Sequence, residues 1–221
     1  MEYEVRIKTE SPLCLNSGKA DVNVDADIVH DALGLPYFPG KRLRGLLYES
    51  AVEVVEMAEL CEKNFVERKT VEELFNKRAD STVELIVPNF HLEDYQDMAK
   101  EWKYLQSTFS GLIRPESVLQ TYTSIRFQTA LDTDGTAKET SLRNIRVLDS
   151  DLTFVGKIQV NGGENRHDQA LALAVSNLRR AGMNRNRGFG RLACTMKKQD
   201  TLFNQISRKG GVDDADFLRY D

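Results

Sequence analysis

The stretch RRAGMNRNRGFGR at residues 179–191 holds the side chains best suited to grip an anion. Arg185, Arg187 and Arg191 offer planar forks of donors that match two phosphate oxygens at once. Gly182, Gly188 and Gly190 carry no Cβ, so a ligand can come close to their amides. Phe189 between two of them has two uses, stacking on a base or plugging the core. Each phosphate neutralised releases condensed counterions, so roughly four or five such contacts give a salt-sensitive affinity. The competing reading is a helix-to-strand turn whose arginines simply face water.

A second basic run, LPYFPGKRLRG at residues 35–45, places Lys41, Arg42 and Arg44 just after a Pro39-Gly40 turn. If a helix starts there, these cations occupy the pole where the macrodipole disfavours positive charge. Free amides at a helix start attract anions, so an anion bound there accounts for the placement. Lysine and arginine snorkelling from a surface helix is the plainer alternative, but it leaves the choice of pole unexplained.

The elements needed to hold these runs follow from hydropathy and turn residues. Tyr3, Val5 and Ile7 alternate with charged neighbours as a half-buried strand. Residues 11–40, with Gly18, Gly34, Pro36, Pro39 and Gly40, form a long loop containing a short extended piece near 20–24. Leu43, Leu46, Leu47, Ala51, Val54, Val55 and Ala58 recur at helical spacing across 41–61. A shorter helix is expected over 71–78, a strand over 83–87 ending at Pro88, and a helix over 92–112 with Tyr95, Met98, Trp102 and Leu105 on one side. Residues 121–130 are β-rich, 132–141 form a hairpin tip around Asp134-Gly135, and strand resumes at 147–148 and 152–160. A helix over 169–181 stopped by Gly182 and a strand over 189–196 close the pattern. Reduced to its core, the order is strand–helix–strand twice over. That predicts an α+β, ferredoxin-like antiparallel sheet with helices on one face. The chain reads as one domain over 1–200, with a helical insertion at about 66–112, an excursion at about 128–146 and a polar tail from 201 to 221.

Bulk properties exclude several classes. With 221 residues, 41% hydrophobic and 29% charged, the chain can fill a core of its own. No apolar run reaches the ~20 residues that span a bilayer, and the N-terminus lacks a signal peptide's apolar stretch. A soluble, cytoplasmic protein without a membrane partner is the expectation. Cys14, Cys61 and Cys194, with His30, His91 and His167, are spaced too widely for a disulfide framework or a zinc site. A net charge of −4 argues against nucleic acid, but the distribution reverses the argument. Residues 169–199 contain no Asp or Glu, whereas the acidic excess lies at 49–97 and in the tail from Asp213.

The PGKRLRG helix entry followed by the RNRGFGR loop resembles the RAMP superfamily of CRISPR effector subunits. The stretch 123–147, TSIRFQTALDTDGTAKETSLRNIRV, is similar to that family's thumb hairpin. The resemblance runs from Gly34 to Cys194 and rests on three motifs in the right order. It implies an RNA-recognition-motif-related core whose glycine-rich loop contacts guide RNA (crRNA) in an antiviral ribonucleoprotein. Partners would be guide RNA, complementary target nucleic acid and other RAMP subunits.

Carried onto this sequence, the resemblance implies RNA contacts by Lys41, Arg42 and Arg44, and by Arg180, Arg185, Arg187, Gly188, Phe189 and Gly190. In the thumb it implies contacts by Arg126, Lys138, Arg143 and Arg146, with Phe127 and Leu142 as apolar wedges between bases. Two subunit types fit. The type III backbone subunit lines up along the guide, and some members cut target RNA with a loop aspartate and a divalent metal. Asp25 is the positional match, with Asp27 and Asp31 nearby, and Mg²⁺ is the one cofactor implied if it cuts. The capping type holds the guide's 5′ handle and does not cut; Lys41-Arg42, where backbone subunits more often have Ser-Ser, leans that way. An endoribonuclease using His30, the histidine nearest the basic runs, and a scaffold that binds only proteins are the rival readings. The RNA-binding reading makes one geometric demand: the turn after the last helix and the start of the first must face the same space.

Overall fold

The computed structural model describes residues 1–18, 24–63, 65–77, 79–130, 132–138 and 140–198. In chain order the elements are β1 (Glu2–Thr9), β2 (Tyr37–Phe38), α1 (Gly40–Leu60), α2 (Arg68–Leu74), β3 (Glu84–Ile86), β4 (Phe90–Leu92), α3 (Tyr95–Thr108), α4 (Pro115–Gln120), β5 (Thr123–Gln128), β6 (Arg143–Leu148), β7 (Thr153–Asn161), α5 (Asn165–Asn177) and β8 (Leu192–Lys198).

The alternation in β1 sends Tyr3, Val5, Ile7 and Thr9 inward. β1 pairs antiparallel with β7 on one side and β8 on the other, Val5 lying opposite Gly156 and Met196. β3 and β4 both pair antiparallel with β7 at separate positions, and β2 continues the sheet from β4, giving the order β2-β4-β7-β1-β8. Helices α1 and α5 cover one face. Leu43, Leu47, Ala51 and Val55 of α1 and Leu171, Ala174 and Val175 of α5 share a core with Phe38, Phe90, Phe154 and Ile158 from the strands.

The opposite face of the sheet is a lattice of ion pairs. Lys157 meets Glu2 at 3.2 Å, Lys8 meets Asp151 at 3.0 Å, and Arg6 pairs with both Glu4 and Glu93. The outward positions of β1, β7 and β8 carry no aromatic ring on which a base could stack.

β5 and β6 form a separate two-stranded antiparallel sheet within the stretch that resembles the thumb, with Thr123 opposite Leu148 and Gln128 opposite Arg143. Residues 24–28 run beside it. Ala26 bridges Ile145 in parallel, and the Arg146 amide donates to the Ala26 carbonyl at 3.0 Å. Cys14, Ala26, Ile145 and Val147 make a second small core under this hairpin.

Several elements depart from the sequence expectation. The last helix spans Asn165–Asn177 rather than 169–181, and Gly182 does not end it. Its start is fixed by a capping box in which Glu164 accepts from the amide of His167 while the Glu164 amide donates to His167 Nδ1. Its end comes early because residues 179–181 pair with 190–192. The Leu192 amide donates to the Arg179 carbonyl and the Ala181 amide to the Gly190 carbonyl, both at 2.9 Å. Strand pairing to a distant segment thus overrides a good helical sequence. The helix expected over 92–112 starts only at Tyr95, since residues 90–92 add to the sheet. Two elements, α4 with Pro115 in its first turn and the short β2, lie where the sequence reading placed none. The extended piece near 20–24 and the tail from 201 fall outside the described residues except at Val24.

Candidate nucleic-acid interface

The first helix begins where Gly40 rests on another loop. A Cβ at Gly40 would lie 2.2 Å from the Val87 carbonyl oxygen, so only glycine fits there. The Gly40 amide donates to the Asn89 side chain at 2.9 Å. Lys41 and Arg42 follow on the exposed side, with no ion pair or side-chain hydrogen bond among the described residues. Arg44 is different. It turns away and donates to the Phe75 carbonyl at 3.0 Å, at the C-terminal end of α2. A cation at the wrong pole of its own helix therefore sits at the right pole of the next. Arg44 is a helix cap, and the anion site retains Lys41 and Arg42.

The 179–191 loop is braced from within. Gly190 donates its amide to the Pro12 carbonyl at 2.8 Å, and a Cβ on it would lie 1.9 Å from the Ala181 carbonyl oxygen. Gly182 is likewise pressed against Cys14, with 2.6 Å between its would-be Cβ and that carbonyl oxygen. These two glycines serve packing, not ligand approach. Gly188, with φ at +84° and open space around it among the described residues, is the glycine of this loop whose surface a ligand can reach. Phe189 packs against the small core beneath the hairpin, taking the plug role. Arg180 donates to the Arg185 carbonyl at 3.0 Å and so holds the loop's shape. Arg185 pairs with Glu49 of α1 at 3.3 Å, while Arg187 is exposed and makes no ion pair among the described residues.

These segments enclose one cleft of ≈ 410 Å³, whose walls include Asn16, Lys41, Arg42, Gly45, Met183 and Arg185. A second hollow of ≈ 560 Å³ continues from it past Glu49 toward Glu53, Arg179, Arg180 and Asn186. The helix start and the returning loop thus face the same space. Cys14 forms part of the cleft wall; burial raises its thiol pKa, against a smaller opposing pull from Arg42. The sequence reading missed Asn16, Gly18, Gly45 and Glu49. Asn16 accepts from the Gly18 amide at 2.8 Å and reaches Met183 Sδ at 3.4 Å, a loop role with no periodic or motif signal.

The hairpin stands beside this cleft. Asn184 donates to Gln128 Oε1 at 3.3 Å, joining the glycine-rich loop to the end of β5. Arg126, Lys138 and Arg143 are exposed, as are Ile125, Phe127 and Leu142. Arg146 is not available to a ligand. It is 7% exposed, meets Asp27 Oδ1 at 2.9 Å and donates to Thr123 Oγ1 at 3.3 Å. It ties the hairpin's base together.

Asp25 lies on the strip paired with the hairpin. Its amide donates to the Asn144 carbonyl at 2.9 Å and its Oδ2 accepts the Asn144 amide at 2.8 Å. Asp27 Oδ1 accepts from Arg146 and from the Ile28 amide. Asp31 accepts the Leu33 and Leu35 amides and the Tyr95 hydroxyl, and the latter bond raises the Tyr95 pKa to about 12. His30 Nδ1 lies 2.8 Å from the Asp31 carbonyl oxygen. A divalent ion wants several oxygens aimed at one point. The neighbouring carboxylates here are turned to local amides, an arginine and a tyrosine, and no group of three or more His, Cys, Asp or Glu converges among the described residues. Among the described residues the chain itself gives Asp25 no preformed set of metal ligands.

An α+β chain with a cationic cleft beside an extruded hairpin defines a class of surface suited to a polyanion. The family follows from the sequence as a whole: the RAMP superfamily profile matches residues 6–193, and the chain belongs to that superfamily. The fold resembles a chain in the structure "Cryo-EM structure of the Type III-B Cmr-beta bound to cognate target RNA", with a TM-score of 0.63, 11% identity, and coverage of 89% of this chain and 97% of that one. It also resembles one in "Type III-B Cmr-beta Cryo-EM structure of the Apo state", with a TM-score of 0.58, 12% identity, and coverage of 90% and 98%. No curated protein matches the chain.

Proposed function

We propose that this protein binds the sugar–phosphate backbone of guide RNA as a subunit of a type III-like CRISPR effector. One observation carries the reading: Lys41, Arg42 and Arg185, from sequence runs about 140 residues apart, line a single cleft. Glu49, also on the cleft wall, offsets Arg185 at 3.3 Å, so the cleft keeps the net positive charge of Lys41 and Arg42, which a polyanion would neutralise. Family membership and the fold shared with chains of Cmr-β structures, one of them bound to target RNA, support the same reading. The succession β1, α1, β3 with β4, β7, α5, β8 and its all-antiparallel neighbours favour a ferredoxin-like core. Ion pairing across the outer sheet face directs RNA to the cleft and hairpin rather than to the sheet.

In this scheme Lys41, Arg42, Arg185 and Arg187 hold phosphates, and the Gly188 surface admits the backbone. Arg126, Lys138 and Arg143 of the hairpin, with Phe127 and Leu142 as apolar wedges, address the paired guide and target. Arg44, Arg146, Arg180, Phe189 and Gly190 shape these surfaces without touching RNA.

The test is fluorescence anisotropy of a labelled single-stranded oligoribonucleotide titrated with full-length protein across a range of salt. Deleting one cation that neutralises a phosphate lowers the slope of log affinity against log salt by about 0.7. The triple variant Lys41→Ala/Arg42→Ala/Arg187→Ala therefore flattens the slope by about 2. Unchanged affinity and slope in that variant would refute the proposal and leave the protein-scaffold reading.

A further inference from the structure

Gly45 lies in the second turn of α1, inside a helix that runs from Gly40 to Leu60. Glycine is the least favourable helix-interior residue short of proline. At other positions in this chain the fold itself accounts for glycine: Gly40 against Val87, Gly156 against the Phe90 ring, Gly182 against Cys14, Gly190 against Ala181. Gly45 has no such reason. Among the described residues a Cβ built on it meets nothing within 4 Å, and its φ is not in the left-handed range. The space it leaves open is the cleft, where Gly45 lines the wall with Lys41 and Arg42.

We infer that Gly45 is the point of closest approach between α1 and the backbone of a single-stranded RNA, the absent side chain letting a ribose lie directly on the helix. This rests on the RNA-binding reading of the cleft and deepens it. Lys41, Gly45 and Glu49 follow one another at four-residue spacing and so share one stripe of the helix. Lys41 supplies the cation at one end. Glu49 at the other repels phosphate and is held by Arg185 at 3.3 Å, so the strand lies against α1 for these two turns and then leaves toward the loop. A methyl group on Gly45 would stand between ribose and helix. The chain accepts a less stable helix in return for that close approach.

The experiment uses full-length Gly45→Ala and Gly45→Leu, with Arg42→Ala as the reference for the cleft. Thermal melting without RNA and anisotropy with a labelled single-stranded oligoribonucleotide are both read. Gly45→Ala should melt roughly 2–4 °C higher than the parent, yet bind RNA at least about fivefold more weakly, as for a methylene forced into a filled contact. Gly45→Leu should bind more weakly still. A stability gain paired with weaker binding is what a purely structural glycine cannot give. If Gly45→Ala binds as the parent does while Arg42→Ala binds weakly, the close approach is overturned and the cleft reading stands. If neither variant loses affinity, both are overturned. A lower melting temperature for Gly45→Ala also overturns the inference, because the glycine would then serve the fold.

Discussion

Replacing Arg146 by alanine separates a structural arginine from an RNA contact. Arg146 is 7% exposed, and its guanidinium is bonded to Asp27 at 2.9 Å and to Thr123 Oγ1 at 3.3 Å. Alanine strands the carboxylate of Asp27, whose side chain is 16% exposed, with the Ile28 amide as its remaining hydrogen bond among the described residues. Breaking a buried pair from one side costs about 3–5 kcal/mol. Water can reach Asp27 in part, so the low end applies, ~3 kcal/mol. In a chain of 221 residues that lowers Tm by roughly 6–12 °C. The assay is thermal melting followed by circular dichroism, with amide exchange reporting whether residues 145–147 open before the main sheet. The combined change Arg146→Met with Asp27→Leu should recover most of the stability, since an apolar pair of similar volume carries no stranded charge. RNA affinity, measured well below the melting range, should change by less than about twofold, because no phosphate contact is removed. An Arg146→Ala protein that melts like the parent but binds RNA about tenfold more weakly would refute this reasoning and return Arg146 to the RNA surface.

Two further outcomes follow from the same geometry. Gly188→Ala places a methyl group in open space and meets only the left-handed backbone cost of about 1–2 kcal/mol, whereas Gly190→Ala adds a collision with the Ala181 carbonyl, its Cβ falling 1.9 Å from that oxygen; urea midpoints should rank the two far apart, and similar midpoints would contradict the packing role of Gly190. Tyr95, hydrogen-bonded to Asp31, has a pKa raised from 10.0 to about 12. The native state then keeps this proton where the unfolded chain has released it, so the contribution is fully present below pH 10 and is lost as pH rises toward about 12. Over that window the stability of the parent should fall more steeply than that of Tyr95→Phe, and parallel curves would show that the bond to Asp31 does not favour the neutral phenol.

Much of the framework was legible because it is written in local periodicity. The alternation of Tyr3, Val5 and Ile7 gave β1, and the helical spacing from Leu43 to Ala58 gave α1. The first hairpin strand was visible in the β-branched and aromatic residues before Asp134-Gly135, whereas β6 begins at Arg143 and was legible only at 147–148. Boundaries failed where a distant segment competed for the same backbone. Residues 179–181 have helical residue types, yet they pair with 190–192, and residues 90–92 join the sheet instead of extending α3. Short pieces such as β2, two residues long, have no period to detect and exist only because β4 lies beside them.

The sites divide along the same line. Residue type and order were enough to single out the two basic runs and to suggest the family, since guanidinium and ammonium groups keep their chemistry whatever the fold. Which of those cations remain free is a property of three-dimensional neighbours. Arg44 and Arg146 look like Arg42 and Arg143 in the sequence, but a carbonyl at the end of α2 takes the first and a carboxylate 119 residues away takes the second. Charge along a chain is local; its neutralisation is not. Only folding could bring Lys41 and Arg185 to one cleft, press Gly182 and Gly190 into service as spacers, and leave beside Gly45 a space that none of the described residues fills.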